Sequence, residues 1–171
     1  RRMRERGVLF SACASNCVTT ALRVLDLKNG TQKLLIDGAS AGWYLPTGQL
    51  LYLRPDGVAD VVPFDLGHLA VRGTGVPVLQ GVSIAGNVVP VAWSRSGTLV
   101  YGLASANGDV TTLRYAQRTG TDSAADPSWS GQFNSFALSP DGQRAAVGVS
   151  TQGAGLDIWI KQLPRGPFTR L

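Results

Sequence analysis

Apolar residues in this chain come in short runs, each cut off by Gly, Pro, Asn, Asp or Ser after about five positions. Gln49-Leu50-Leu51-Tyr52-Leu53, Thr98-Leu99-Val100-Tyr101 and Ala145-Ala146-Val147-Gly148-Val149 are examples. Runs of this length, with β-branched and aromatic residues and turn formers at their ends, predict strands rather than helices. The segment Leu138-Ser139-Pro140-Asp141-Gly142 shows the punctuation most clearly. Pro sets φ for the second position of a type I turn, Asp bonds its own backbone, and Gly accepts the positive φ that closes the turn. The local reading is strand, tight turn, strand.

The punctuation repeats. Tyr44-Leu45-Pro46-Thr47-Gly48 precedes Gln49-Leu50-Leu51-Tyr52-Leu53, and Trp93-Ser94-Arg95-Ser96-Gly97 precedes Thr98-Leu99-Val100-Tyr101. Leu138 to Gly142 likewise precedes Gln143-Arg144-Ala145-Ala146-Val147, so a large apolar residue stands four before each glycine. A fainter copy, Glu5-Arg6-Gly7 followed by Val8-Leu9-Phe10, opens the chain. Gly7, Gly48, Gly97 and Gly142 are 41, 49 and 45 residues apart.

Each turn leads to a second strand and a second reversal. The strands are read at 21–27, 61–66, 111–115 and 156–160, turning at Asn29-Gly30, toward Gly73, at Thr119-Gly120 and near Arg165-Gly166. Asn-Gly is a strong hairpin signal. A closing run such as 32–36 or 76–79 follows. Four short strands in about 45 residues is the period of a β-propeller blade. The expected fold is therefore all-β, one partial propeller domain over 1–171 with blades at about 1–38, 39–81, 82–130 and 131–171. Gly7, Gly48, Gly97 and the Pro140-Asp141-Gly142 group are expected at equivalent turns. Closed propellers more often have about six to eight blades, so a fragment of a larger ring is expected. Made alone, it would self-associate through uncovered blades and unpaired edges.

At these residues the sequence resembles a family. The Ser139-Pro140-Asp141-Gly142 opening, the Asp157-Ile158-Trp159-Ile160 strand and the closing Thr169-Arg170-Leu171 resemble the PD40 repeat of TolB-like propellers. The second and third units depart from it at Pro46-Thr47-Gly48 and Arg95-Ser96-Gly97. The stretch LLYLRPDGVADVVPFDLGHLAVRGTGVPVLQGV is similar to propellers attached behind serine/threonine kinase domains in some bacteria, where Val-Pro-Phe-Asp and Pro-Val elements recur. The resemblance implies a non-catalytic module that binds a protein, peptide or small ligand on a propeller rim. It also implies a periplasmic or extracytoplasmic location if the module hangs from a membrane-tethered bacterial protein. The alternative is the substrate-gating propeller of a prolyl-oligopeptidase-like serine peptidase, which has similar repeats.

Composition narrows the classes. With 21 Gly, 9 Pro and 16% charged residues among 171, the chain is neither disordered nor a helical bundle. The net charge is +5; the first six residues, RRMRER, are basic, and outside them the arginines are scattered, among them Arg23, Arg54, Arg72, Arg114, Arg144 and Arg170. Nucleic-acid binding calls for a clustered basic face with interleaved aromatics, so no nucleic-acid partner is expected. No apolar run reaches the length of a membrane span, and no direct membrane insertion is expected. Cys13 and Cys17 lack the further ligands a zinc site needs; two free thiols are the favoured reading, with a disulfide as the alternative.

Candidate chemistry is sparse, and no catalytic residue, cofactor or metal is expected. The only histidine, His68, falls in a hairpin loop, and neither Gly81-Val82-Ser83 nor Gly148-Val149-Ser150 completes a nucleophile elbow. Gly73-Thr74-Gly75 lacks the strand–loop–helix setting and lysine of a phosphate cradle, and kinase catalytic motifs are absent. Asp56, Asp141 and Asp157 have no calcium-loop ligands around them; Asp141 reads as a turn residue. Asn29-Gly30-Thr31 matches a glycosylation sequon but has a sufficient reason as a hairpin tip. Trp43, Tyr44, Tyr52, Trp93, Tyr101 and Trp159 read as packing between blades, whereas Trp129, in the loop Pro127-Ser128-Trp129-Ser130-Gly131, is the expected rim anchor for a partner.

Overall fold

Among the described residues, eighteen short strands form in chain order, as the alternation of apolar runs and turn residues requires. The computed structural model describes residues 2–3, 5–13, 20–84, 89–94, 97–104, 111–116, 122–126, 129–151 and 155–171. The strands are β1 (Arg2–Met3), β2 (Gly7–Cys13), β3 (Thr20–Asp26), β4 (Gln32–Asp37), β5 (Ala41–Tyr44), β6 (Gln49–Leu53), β7 (Ala59–Asp65), β8 (Ala70–Val71) and β9 (Val76–Leu79). They continue as β10 (Val91–Trp93), β11 (Leu99–Ala104), β12 (Thr111–Ala116), β13 (Asp122–Ala124), β14 (Ser130–Gly131), β15 (Phe133–Leu138), β16 (Arg144–Thr151), β17 (Gly155–Gln162) and β18 (Phe168–Arg170).

These strands make four antiparallel sheets, each ordered as in the sequence: β1-β2-β3-β4, β5-β6-β7-β8, β10-β11-β12-β13 and β15-β16-β17-β18. In the second and third sheets the outermost strand is split. β8 pairs with Phe64 and Asp65 while β9 pairs with 59–61 of the same strand, and β13 and β14 divide the edge of β12 in the same way. Pro63, which has no N–H to donate, lies at the break in the second sheet, where its carbonyl accepts a hydrogen bond from Arg72 N at 2.8 Å.

The chain divides into two compact units, Arg1–Gln80 and Gly81–Leu171, each holding two sheets. In the first unit, Met3, Leu9, Leu22 and Val24 of the first sheet pack with Leu50, Tyr52, Val62 and Phe64 of the second. Contact is close enough that a Cβ on Gly42 would sit 2.3 Å from Leu22 Cδ2, so the two sheets meet there only because residue 42 has no side chain. In the second unit, Val100, Leu113 and Ala125 pack with Phe133, Ala145 and Val147.

Gly48, Gly97 and Gly142 have φ of 84°, 93° and 73°, and each donates its N–H to the carbonyl three residues earlier, of Leu45, Ser94 and Ser139. A positive φ costs glycine nothing, which is why the motif ends on it. Arg95 and Ser96, of the third turn, lie outside the described residues, as do Thr119-Gly120. Gly7 departs from the expectation. It is a β2 residue paired with Met3 and Asp26, outside the positive-φ set, and a Cβ there would lie 3.0 Å from Leu25 O. Its glycine is explained by close packing rather than by turn geometry. Cys13 corrects the free-thiol reading: it is disulfide-bonded. It is the last β2 residue and pairs with Thr20, the first residue of β3. Cys17 lies outside the described residues.

Candidate functional site

The densest described polar cluster is in the first unit, where loops at one end of the first two sheets meet. It starts from Asp26, the last residue of β3, which is 2% exposed. Its Oδ1 accepts hydrogen bonds from Arg6 Nη1 at 2.5 Å and Lys28 N at 2.9 Å. Arg6 Nη2 continues to the carbonyl of Gly67 in the second sheet at 3.3 Å, and Lys33 Nζ donates to the His68 carbonyl at 3.0 Å. Two cations of the first sheet thus hold the 66–69 loop of the second.

Within that loop, Asp65 is the organiser. Its Oδ1 accepts from His68 N at 3.0 Å, and its Oδ2 lies 2.8 Å from His68 Nδ1 and 2.7 Å from Arg72 Nη2. Leu69 drops into the core with no exposure, at a φ of 50° that L residues rarely adopt. The buried leucine and the carboxylate together fix the loop, leaving the His68 side chain 78% and that of Arg72 61% exposed. A carboxylate at Nδ1 makes that nitrogen the donor and turns the other ring nitrogen outward. Among the described residues no hydroxyl or thiol is hydrogen-bonded to the His68 ring. The cluster therefore presents donors and charge on a fixed base, and lacks a nucleophile for its imidazole to activate.

Electrostatics bind this cluster to pH. The backbone N–H of Lys28, then the Arg6 guanidinium, hold Asp26 below the usual carboxylate range; the Arg72 guanidinium, then His68, do the same more strongly for Asp65. Carboxylates depressed in the folded state bind fewer protons than in the unfolded chain near pH 4, so their contribution is full above about pH 4 and is lost as pH falls below it. Unfolding midpoints in urea should therefore fall on acidification below about pH 4, and the fall should flatten in Asp26→Asn and Asp65→Asn. An unchanged slope in both variants would remove this cluster from the acid response.

The other sequence candidates are engaged in local structure. Asp141 Oδ1 accepts from Ser139 Oγ at 2.5 Å and Gln143 N at 3.0 Å, which lowers its pKa and builds the turn. Asp56 accepts from Arg54 Nη2 at 2.7 Å and Val58 N at 3.1 Å, and Asp157 pairs with Arg170 at 2.8 Å. Asn29 caps its hairpin by accepting from Thr31 N at 3.0 Å and Thr31 Oγ1 at 2.8 Å. Tyr101, 2% exposed, donates to Asp122 at 2.8 Å; burial first, and that bond second, push its hydroxyl up to about 12. Trp129, the expected rim anchor, meets two aromatic rings and an ammonium. It is half-buried, its ring 4.1 Å from that of Phe168 and 4.8 Å from that of Phe133, with Lys161 Nζ 5.8 Å from its centroid. Pro127 and Ser128 beside it lie outside the described residues.

With sheets and sites in place, comparison with solved structures fixes the architecture. TolB from Acinetobacter baumannii superposes with a TM-score of 0.68 at 16% identity, over 97% of this chain and 40% of that one. The β-propeller domain of the Trilobed protease from Pyrococcus furiosus gives a TM-score of 0.50 at 16% identity, over 96% and 53%. The fold is a β-propeller, and each sheet is a blade. A chain of a nidogen/laminin complex also matches, with a TM-score of 0.66 at 8% identity over 98% and 60%. This chain thus spans about half the length of the solved chains it matches. No family model matches the sequence, and no curated protein does.

Sequence pattern alone does not announce the pairing of Asp65 with His68, although the two stand only three residues apart. The signal was the spacing of three across a Leu-Gly pair, which lets an Asp side chain cap the backbone of the loop it opens.

Proposed function

We propose that this chain is a non-catalytic binding module whose partner, a protein or peptide, docks on the rim built by residues 65–72 of the second blade and Arg6 and Lys33 of the first. The observation that carries this reading is the Asp65-centred loop, which holds His68 and Arg72 out to solvent on a fixed base while offering them no nucleophile. Pre-ordered side chains bind at lower entropic cost, because their rotamers are set before the partner arrives. The exposed groups are chiefly N–H donors, so the partner surface should be rich in carboxylates and carbonyls. The likeness to TolB and to a chain of a nidogen/laminin complex supports a role in protein contacts.

The parent we favour is a membrane-tethered bacterial serine/threonine kinase or a TolB-like protein, with this segment on the extracytoplasmic side. The disulfide at Cys13 supports an oxidising compartment.

In the test, the purified chain is assayed against peptide and ester substrates and for phosphoryl transfer, and in parallel against an array of acidic peptides. No turnover is expected, and peptide binding should weaken at least about threefold in Arg72→Ala and fall with salt. Turnover that persists in His68→Ala after repurification would overturn the non-catalytic reading, and peptide binding indifferent to Arg72 would overturn the rim.

A further inference from the structure

The outer edges of the four blades are not alike. In the second blade that edge is divided between β8 and β9, two and four residues long, with Pro77 inside β9. In the third it is divided between β13 and β14, and in the fourth it is β18, three residues that follow Pro167. In the first blade β4 runs six residues, from Gln32 to Asp37, without a proline or glycine. Short or proline-bearing edges resist further pairing, and a longer continuous one invites it. This edge does not depend on how many blades surround it. Blades stack on the faces of a sheet, whereas the free hydrogen-bonding groups of β4 point along the sheet, away from β3.

Register identifies those groups, because antiparallel pairs alternate between bonded and non-bonded. Asp26 N donates to Thr31 O at 2.8 Å, so Asp26 bonds on the β4 side. Leu27 N donates to Arg6 O at 3.2 Å, so its neighbour bonds on the β2 side. Counting back along β3, Val24 bonds with Lys33, while Leu25–Gln32 and Arg23–Leu34 are the non-bonded pairs. Gln32 and Leu34 therefore turn their N–H and C=O groups outward. Among the described residues, nothing outside β3 bonds to the β4 backbone. Beyond Leu34 a bulge at Leu35 breaks the phase.

We propose that this edge takes up an extended segment of a partner protein as an added antiparallel strand, with a carboxylate of that segment opposite Lys33. Gln32 and Leu34 supply the bonded pairs of the new ladder. Lys33, between them, then makes the closer non-bonded kind of pair, with Cα atoms about 4.5 Å apart. Directly opposed side chains project to the same face, so the carboxylate lies on the side where Lys33 Nζ donates to the His68 carbonyl at 3.0 Å. That ammonium has further donors to give. β-branched residues on either side of the acid suit the pleat opposite Gln32 and Leu34. The partner is the acidic one of the rim reading, on which this rests; what is added is its conformation and register.

Charge selects this occupant over a second copy of the chain. If two β4 edges paired through both outward residues, Gln32 would face Leu34 of the other copy and Lys33 would face Lys33. Like charges directly opposite destabilise a strand pair, and lysine on an edge commonly guards against such pairing. A register that separates the two lysines no longer bonds both Gln32 and Leu34. An acidic strand bonds both and meets Lys33 with the opposite charge. A short strand held by a few backbone bonds and one ion pair is a weak ligand, so dissociation at about 10⁻⁴ M is expected.

The probe is the capped peptide acetyl-Thr-Val-Glu-Val-Thr-amide, titrated into the chain while amide exchange is followed along β4. Saturable binding is expected, with exchange slowed at least about threefold at Gln32 and Leu34 and unchanged at Lys33, whose N–H already bonds to β3. N-methylation of either valine, whose N–H meets the edge, should weaken binding at least about tenfold. N-methylation of the glutamate, whose N–H points away, should change it by no more than about twofold. Lysine in place of the glutamate should also weaken binding at least about tenfold, and Lys33→Glu should restore it. The peptide changes need no altered protein to fold. No binding up to about 10⁻³ M, binding blind to the position of the methyl group, or protection at Lys33 instead of its neighbours would overturn the proposal. Arg72→Ala separates the two readings. Binding that follows the methyl position but ignores Arg72 keeps the strand and removes the rim; binding that needs Arg72 but ignores the methyl position keeps the rim and removes the strand.

Discussion

Asparagine in place of Asp126 is expected to cost the fold about 3 kcal/mol, whereas methionine in place of Lys161, its partner, should cost about 1 kcal/mol or less. The Lys161 side chain is 4% exposed and donates to Asp126 Oδ2 at 2.6 Å and to the Gly166 carbonyl at 2.8 Å. The Asp126 side chain retains 21% exposure. The asymmetry follows from solvation. Taking the charge from Asp126 leaves an ammonium buried with a neutral carbonyl and the Trp129 ring for company, and water cannot reach it. Taking the charge from Lys161 leaves a carboxylate that water reaches in part, and methionine fills the space of the lysine stem. Urea unfolding of Asp126→Asn, Lys161→Met and the double variant decides the matter. The double variant should resemble Lys161→Met, because Asp126 has no buried charge left to neutralise. If Lys161→Met is the more damaging single change, the pair is stabilised by something other than mutual neutralisation.

That ion pair also shows where a sequence stops informing. Asp126 and Lys161 are 35 residues apart, on different blades. Nothing in Asp157-Ile158-Trp159-Ile160-Lys161 distinguishes Lys161 from a solvated edge residue. Its burial is decided by how the third and fourth blades pack around the segment after β13, a tertiary matter that local pattern does not encode. By contrast, β6 and β9 were legible to the residue, since Gln49–Leu53 and Val76–Leu79 are apolar runs closed at both ends by turn formers. The outer-edge pieces β8, β13 and β14 are two or three residues long, and a run that short has no period to detect.

Turn chemistry was legible too, but not its location. Pro55-Asp56-Gly57 and Pro140-Asp141-Gly142 build the same turn: Gly57 N to Arg54 O at 3.1 Å and Gly142 N to Ser139 O at 2.8 Å, with φ of 79° and 73°. Yet the first joins β6 to β7, the second and third strands of its blade, while the second joins β15 to β16, the first and second of its own. A tight turn is specified within four residues, and which end of a blade it occupies depends on the strands around it. The Asp65 cluster follows the same division. The cap on the loop is local, whereas the Arg6 and Lys33 contacts that anchor it come from a different sheet.

Trp129→Ala is expected to destabilise the chain by about 2–3 kcal/mol, less than a fully buried tryptophan because the side chain keeps some exposure. The ring has three partners in the second unit: Phe133, which begins β15; Phe168, which begins β18; and the Lys161 ammonium. Phe168 in turn stacks on Trp159, centroids 4.4 Å apart and planes at 20°. β18 is only three residues long and holds the outer edge of the fourth blade, so it depends on this aromatic chain more than on its few ladder bonds. Amide exchange should therefore rise first at 168–170 in Trp129→Ala, ahead of the β16–β17 hairpin, which has eight paired positions along it. Trp129→Phe should recover about half of the lost stability, since a smaller ring can still meet Phe168 edge-on. If Trp129 were instead a rim anchor for a partner, alanine would change stability by no more than about 0.5 kcal/mol and leave the exchange of β18 untouched. Urea unfolding together with exchange at 168–170 separates the two roles in a single variant.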